Sequence, residues 1–374
     1  MPAAMIPEID WIRVTYSGRD VGRLALSPEN LCVFEYNRDW LASGFSISPF
    51  FLPLEQGVFT AKRDPFNGLF GVFNDSLPDG WGNLLLDRWL RENGVDPNRL
   101  NWLERLSIIG NNGMGALCYE PGIIREHPEK AKSLDFYADQ VKRILNEEPV
   151  ESLDDLVEKG GSPGGARPKI MISLDGKEWI IKFRSQEDPE DVGALEYDYA
   201  RAAKQSGIEM TETRLFEGKY FGIVRFDQKN NQRIHMSTAA GIFHASHRYP
   251  SLDYVDLMKG TLELTRSMPQ VLRIFRLMVF NVLTNNKDDH AKNFSFIYDE
   301  KKELWKVSPA YDLVFSNGFN GNHSTTINGK GNPEKEDIFD AADNAGLKMK
   351  NCREIYDEVW EGTSDLRART DNWN

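Results

Sequence analysis

The sequence predicts an α+β protein built as two lobes, β-rich at first and mainly helical in its C-terminal part. Three observations carry that expectation. A chain of 374 residues suggests two domains or one two-lobed unit. Runs rich in β-branched and aromatic residues fill residues 10 to 60 and 169 to 227, the signature of strands and hairpins. After Asp227 the apolar spacing is mostly helical, with apolar residues recurring near every third or fourth position.

Composition narrows the function classes. At 40% apolar and 11% aromatic the chain can build a sizeable core, which argues against global disorder. A formal charge of −12 makes the whole chain a poor nucleic-acid binder by itself, although it leaves room for a basic groove that holds a nucleotide. Cys32, Cys118 and Cys352 are far apart and odd in number, so a disulfide framework is not expected and a reducing cytoplasm is. The start "MPAAMIPEIDWIRV" lacks a basic end followed by an apolar run, so it does not read as a secretory signal. No stretch reaches about eighteen uninterrupted apolar residues, and the six histidines lack metal-ligand spacing. The expectation is a soluble cytoplasmic protein without membrane contact.

The elements follow in order. "WIRVTYSGRDVGRLAL" is a hairpin about a Ser-Gly turn, and "LCVFEY" is a third strand. "FNDSLPDGWGNLLLDRWLREN" turns amphipathic and helical, with Asp75 or Asp79 as cap and Gly94 as stop. "LNWLERLSIIG" is a second short helix, and "GNNGMGALCYEPG" returns to strand. Residues 126–160 are acidic and helical in propensity, and are expected to form a solvated connector. "KIMISLD" and "EWIIKFR" form a hairpin, "DVGALEYDYARAAKQSG" a helix stopped by Gly207, and "TETRLFEGKYFGIVRFD" a hairpin turning at Gly218. The predicted division is an N-terminal β-rich subdomain over 1–125, a lobe with the connector and hairpins over 126–227, and a helical lobe over 228–374.

Five polar features punctuate this order. The loop "GGSPGGARPK" has the glycines that let a backbone approach phosphate closely, but it lacks the Gly-Lys-Ser/Thr ending and following helix of a Walker A loop. Lys182 sits on a strand whose alternation puts Ile181 and Phe183 on the opposite face. Glu196 opens the next helix. Asp288 and Asn293 in "NNKDDHAKNFS" have the spacing of a kinase catalytic loop, and Asp312 in "SPAYDLV" follows a hairpin. Singly, each suits a bland role: mobile turn, snorkelling lysine, loop cap. Together and in this order they are the parts of a protein-kinase-like fold. The chemistry coheres, because phosphoryl transfer needs positioning and charge neutralisation. Two oxygen ligands, Asn293 and Asp312, suit Mg²⁺, and Asp288 remains to take the hydroxyl proton.

With these parts in place, "DDHAKNFS" and "SPAYDLV" resemble the HipA family of bacterial serine/threonine kinases, the toxin half of HipA/HipB toxin–antitoxin modules. The likeness continues through "SPGGARPK", "IIKF", "ALEYDYARAAKQSGI" and "VRFD", and back to "FNDSLPDGWG" and "MGALCYEP". It spans about residue 12 to about 330 and implies an N-terminal HipA-type subdomain ahead of the kinase lobes. It implies that Asp288 is the catalytic base, that His290, Lys292, Asn293, Tyr311 and Asp312 line the ATP site, and that Asn293 and Asp312 hold Mg²⁺. Gly164, Gly165, Ala166, Arg167, Pro168 and Lys169 would form the phosphate loop, with Lys182 as its lysine. Val224, Arg225 and Phe226 would meet the adenine through backbone groups, and autophosphorylation at Ser162 would switch the kinase off. The family's best-known pattern has glycine where Asp289 stands and glutamate where Val224 stands, so an extra carboxylate beside the base could alter metal binding or its pKa.

The resemblance further implies a growth-arresting toxin acting on a translation-related protein such as an aminoacyl-tRNA synthetase. A small DNA-binding HipB-like antitoxin would restrain it and link it to DNA indirectly. Two alternatives share the same parts: a small-molecule or lipid kinase, and a pseudokinase that binds a partner without catalysis. Intact Lys182, Asp288, Asn293 and Asp312 argue against the second. The helix carrying Trp81 and Trp89 reads as core packing.

Overall fold

The computed structural model describes residues 7–123, 132–160, 164–229, 232–246 and 251–370. Ser162, the expected autophosphorylation site, lies outside them. The chain forms two compact units, residues 1–193 with 216–236, and residues 194–215 with 237–374.

The first unit opens on an antiparallel five-stranded sheet, ordered Val58–Thr60, Cys32–Tyr36, Arg19–Leu26, Trp11–Tyr16, Leu117–Glu120. The turn between the first two strands places both Ser17 and Gly18 at positive φ (49° and 76°), the twist that a two-residue hairpin needs. The helix Gly80–Glu92 follows, as the amphipathic pattern predicts, and its Trp81, Leu85 and Leu86 are buried. The helix Trp102–Ile109 starts on a capping box in which the Asn101 and Glu104 side chains and backbones bond reciprocally.

Residues 132–160 correct the expected solvated connector. The helices Leu134–Leu145 and Leu153–Gly160 bury Tyr137, Val141, Ile144, Leu153, Leu156 and Val157. These side chains join one core cluster with Trp81, Leu85, Ile170, Trp179, Ile181 and Phe183. The acidic character belongs to the outer faces only, with one exception. Asp155 is buried, and it is neutralised by Lys159 and by Lys132 at 3.5 Å while Tyr137 donates to it at 2.9 Å. A buried carboxylate stays ionised only with such partners. On this core lies the hairpin Lys169–Leu174/Lys177–Lys182, whose second strand also pairs with Tyr220–Val224.

In the second unit the helix Met268–Leu283 buries Phe275, Met278 and Val279, three of the positions its periodicity marks. Arg276 bonds the Ser206 carbonyl at 2.7 Å and Glu358 at 2.6 Å, tying it to the end of the helix Val192–Gln205 and to the helix Met349–Gly362. Tyr199 donates to the Thr284 carbonyl at 2.7 Å, which anchors the chain where the polar loop begins. The hairpin Ser295–Asp299/Leu304–Val307 follows that loop in antiparallel register, as its two alternating runs predict.

Candidate active site

The residues expected to bind and transfer phosphate divide between the two units. The first holds the glycine loop, Lys182 and Val224–Phe226; the second holds Glu196, Asp288–Asn293, Tyr311 and Asp312.

In the glycine loop, Gly165 has φ +102°, and a Cβ there would stand 2.6 Å from the Lys169 ammonium. The left-handed backbone is what demands glycine, since the lysine end could move aside. The loop rests on Asp79–Trp81, at the start of the helix Gly80–Glu92. Asp79 occupies the N-cap position of its helix without capping it; its carboxylate accepts from the Gly165 N–H instead. Trp81 N–H donates to the Gly165 carbonyl at 3.2 Å, and the Trp81 indole donates to the Lys169 carbonyl at 3.1 Å. A Cβ on Gly80 would collide with Ala166 Cα at 2.6 Å. "DGWG" is therefore the floor of the loop, and its two glycines among charged and aromatic residues were the available signal.

Lys169 and Lys182 are register partners on adjacent antiparallel strands, and both are buried, with 4% and 8% exposure. Directly opposed residues on one face have Cβ atoms about 5 Å apart, where like charges disfavour each other. A polyanion such as a nucleotide phosphate fits this pair of ammonium groups. Lys169 also donates to the Gly164 carbonyl, and Arg167 pairs with Asp188 at 3.2 Å. Pro168 accepts from the Phe183 N–H at 2.8 Å, closing the loop onto the strand end.

Val224 ends its strand, and the next residues are locked. Arg225 donates its backbone N–H to the Glu178 carbonyl at 2.8 Å and its guanidinium to both oxygens of Asp227, at 3.0 and 2.7 Å. Of the three backbone segments expected at the adenine, the Arg225 N–H is therefore already engaged. Asp227 is fully buried. Burial would raise its pKa, but the Arg225 charge and hydrogen bonds, with the Gly115 N–H at 2.7 Å, hold it below the usual carboxylate value. Arg233 completes the clamp by donating to the carbonyls of Gly113 and Gly115 at 2.6 and 2.7 Å, and to that of Asn111.

In the second unit, Asp288 is exposed and its neighbour Asp289 is fully buried. The Asn293 amide nitrogen donates to the Asp288 carbonyl at 2.5 Å, and the Asn293 N–H to the His290 carbonyl at 2.8 Å. These bonds close the loop into a short 3₁₀ turn over Ala291–Asn293. With its NH₂ bonded to the Asp288 carbonyl, the Asn293 amide keeps its oxygen, a hard donor suited to Mg²⁺. Tyr311 donates to the Lys292 carbonyl at 2.6 Å and lies 2.5 Å from Ser295 Oγ, so it braces the loop. Asp312 has φ +58°, a left-handed conformation uncommon outside Gly, Asn and Asp. Among the described residues no group of three or more His, Cys, Asp or Glu is placed to hold a metal.

The Asp289 carboxylate, adjacent to the proposed base, is taken up by four donors of its own unit. Its Oδ2 accepts from Tyr254 OH at 2.9 Å and from His323 Nδ1 at 2.8 Å; its Oδ1 accepts from Ser324 N–H at 2.9 Å and Thr325 N–H at 3.2 Å. Tyr254 in turn accepts from Asn281, whose Oδ1 accepts from Asn286 at 3.0 Å. The carboxylate points into the unit and fastens the loop to residues 323–325. The residues before it are held as well: Asn286 is 2% exposed, the Asn285 carbonyl accepts from the Ser316 N–H, and Lys287 Nζ donates to the Gly321 carbonyl. Only the folded chain shows these partners, which lie some thirty-five residues away.

The HipA-like C-terminal domain family matches residues 161–366, and the HipA N-terminal domain family matches residues 12–120. The serine/threonine-protein kinase toxin HipA of Shewanella oneidensis is 26% identical over 324 residues, covering 75% of this chain and 69% of that protein. Y4dM of Sinorhizobium fredii is 24% identical over 342 residues, covering 83% and 78%. Among solved structures, a chain of the Shewanella oneidensis MR-1 complex of HipA, HipB and operator DNA superposes with a TM-score of 0.72 at 20% identity, covering 96% of this chain and 90% of its own. That likeness establishes an α+β, kinase-like fold.

Proposed function

The chain belongs to the HipA family and is a serine/threonine protein kinase, and from that premise we propose that it transfers the γ-phosphoryl group of Mg-ATP to a protein hydroxyl. The substrate oxygen attacks the γ-phosphorus, the bond to the β–γ bridging oxygen breaks, ADP leaves, and Asp288 takes the hydroxyl proton. Lys169 and Lys182 grip the phosphates. Gly164–Lys169 enclose them, backed by Asp79 and Trp81, and the chain around Val224–Phe226 meets the adenine. His290 and Lys292 face the nucleotide, and Asn293 and Asp312 are the metal ligands. Mg²⁺ supplies charge neutralisation on the phosphate oxygens.

The observation that carries this reading is the closed Asp288–Asn293 loop, which exposes one carboxylate, buries the other and engages the Asn293 amide through its nitrogen. The finer reading is a growth-arresting cytoplasmic toxin. It would phosphorylate a translation-related protein, with an aminoacyl-tRNA synthetase as the candidate, and be restrained by a small HipB-like antitoxin and by autophosphorylation at Ser162. Two facts support it: a HipA, HipB and operator DNA complex contains a chain of this fold, and a net charge of −12 suits indirect rather than direct DNA contact.

Incubation with labelled ATP and Mg²⁺ tests the reading. The wild type should incorporate label, Asp288→Asn should not, and Ser162→Ala should lose the self-label while retaining ATP turnover. Tight Mg-ATP binding without turnover would overturn the kinase mechanism in favour of a binding-only protein.

A further inference from the structure

Phe319 is 79% exposed, the most exposed large apolar side chain among the described residues. It sits in "SNGFNGN", a polar turn where no core requires a phenylalanine. The turn is closed and bonded at both ends. Gly318, Asn320 and Gly321 all take positive φ (63°, 52° and 76°), and Asn322 N–H closes on the Phe319 carbonyl at 3.1 Å. A Cβ on Gly318 would stand 2.1 Å from the Asn322 carbonyl oxygen and 2.7 Å from Lys287 Cβ, so the turn lies directly on Lys287.

Both flanks of the turn are bonded to the same polar loop. Ser316 N–H donates to the Asn285 carbonyl at 3.0 Å, and Lys287 N–H returns a bond to the Ser316 carbonyl at 3.3 Å. Lys287 Nζ donates to the Gly321 carbonyl at 2.9 Å, and Ser324 N–H to the Lys287 carbonyl at 3.0 Å. Asp289 then holds residues 323–325. The turn that carries the aromatic ring is thus bonded beside residue 287, the immediate neighbour of Asp288.

We propose that Phe319 is a substrate-docking side chain, receiving one apolar residue of the protein substrate close in sequence to the phosphorylated serine or threonine. This rests on the kinase reading above. From Gly318 against Lys287, the path to Asp288 is on the order of 10 Å, about three residues of extended chain. The apolar residue therefore belongs within about three positions of the acceptor. A single exposed ring ringed by Asn and Gly suits one side chain of an extended peptide. A second copy of this chain or an antitoxin would call for a contiguous apolar patch.

The test compares wild type with Phe319→Ala and Phe319→Leu on an oriented peptide array with a fixed Ser or Thr acceptor, alongside ATP turnover. Wild type should select an apolar residue within three positions. Phe319→Ala should lose that selection and raise KM for the best peptide about tenfold, with turnover of ATP alone and kcat unchanged. Phe319→Leu should retain most of both. ATP turnover without apolar selection, or an unchanged KM in Phe319→Ala, overturns the Phe319 assignment alone. Absence of ATP turnover in wild type overturns the kinase reading and this one with it. Loss of self-association in Phe319→Ala with an unchanged peptide KM would assign the ring to a second copy instead.

Discussion

Asp289→Ala is the perturbation whose size the structure defines best. The wild-type carboxylate is fully buried and takes four hydrogen bonds, from Tyr254 OH, His323 Nδ1, Ser324 N–H and Thr325 N–H, at 2.8 to 3.2 Å. Each bond to a charged acceptor contributes about 1.5–3 kcal/mol, and a buried donor left without a partner costs about 1–3 kcal/mol. These contributions share one acceptor and do not add, and several buried donors are left without their partner, so the loss is about 2–4 kcal/mol. Against a total stability of about 5–15 kcal/mol, that is a severe loss. Asp289→Asn should cost less, about 1–2 kcal/mol. Its oxygen can keep the two backbone donors while its NH₂ faces Tyr254 and His323, both of which can accept after a change of rotor or tautomer. Urea unfolding of the full chain at fixed pH measures both shifts. The neighbouring Asp288→Asn should leave the transition within about 0.5 kcal/mol of wild type, because that side chain is on the surface, while abolishing phosphoryl transfer. An Asp289→Ala transition within about 1 kcal/mol of wild type would refute the argument that this carboxylate fastens the loop.

Other consequences are as direct. Lys182→Met removes one of two opposed ammonium groups that the kinase reading sets on the phosphates. The rise in Tm that Mg-ATP gives the wild type should disappear, as differential scanning fluorimetry would show. His235 is buried with its Nε2–H donating to the Ile47 carbonyl at 2.9 Å, and burial pulls its imidazole down to about 4. Below about pH 6.5 the unfolded chain takes up a proton that the folded one refuses. Stability is then full above about pH 6.5, falls by about 3 kcal/mol as the pH drops to about 4, and levels off below that. His235→Phe should remove that part of the pH dependence, measured by urea unfolding at pH 7 and pH 4.5. Arg225→Lys cannot reproduce the two-pronged bond to Asp227; KM for ATP should rise several-fold with kcat less affected, which steady-state kinetics would separate.

The local pattern determined the individual elements well. The helix Met268–Leu283 and the hairpins on either side of the site follow from spacing alone, because a helix or strand must present one apolar face wherever it packs. The spacing and order of Gly164–Lys169, Lys182, Asp288, Asn293 and Asp312 likewise lie in the sequence, since a glycine loop and a closed Asp-x4-Asn turn are built from nearby residues. The tertiary structure decided the support for those parts. Charge density made residues 132–160 look solvated, but three or four apolar positions per helix suffice to bury one face against Trp81, Trp179 and Ile181. Asp79 looks like a helix cap until Gly165 comes to it from 86 residues away. Asp288 and Asp289 are adjacent and chemically identical, and no local pattern distinguishes a surface carboxylate from a buried one. That difference comes from Tyr254 and from His323 to Thr325, whose donors exist around Asp289 only once 35 residues of loop and hairpin have folded back, because a buried charge is tolerated only where the fold delivers its partners.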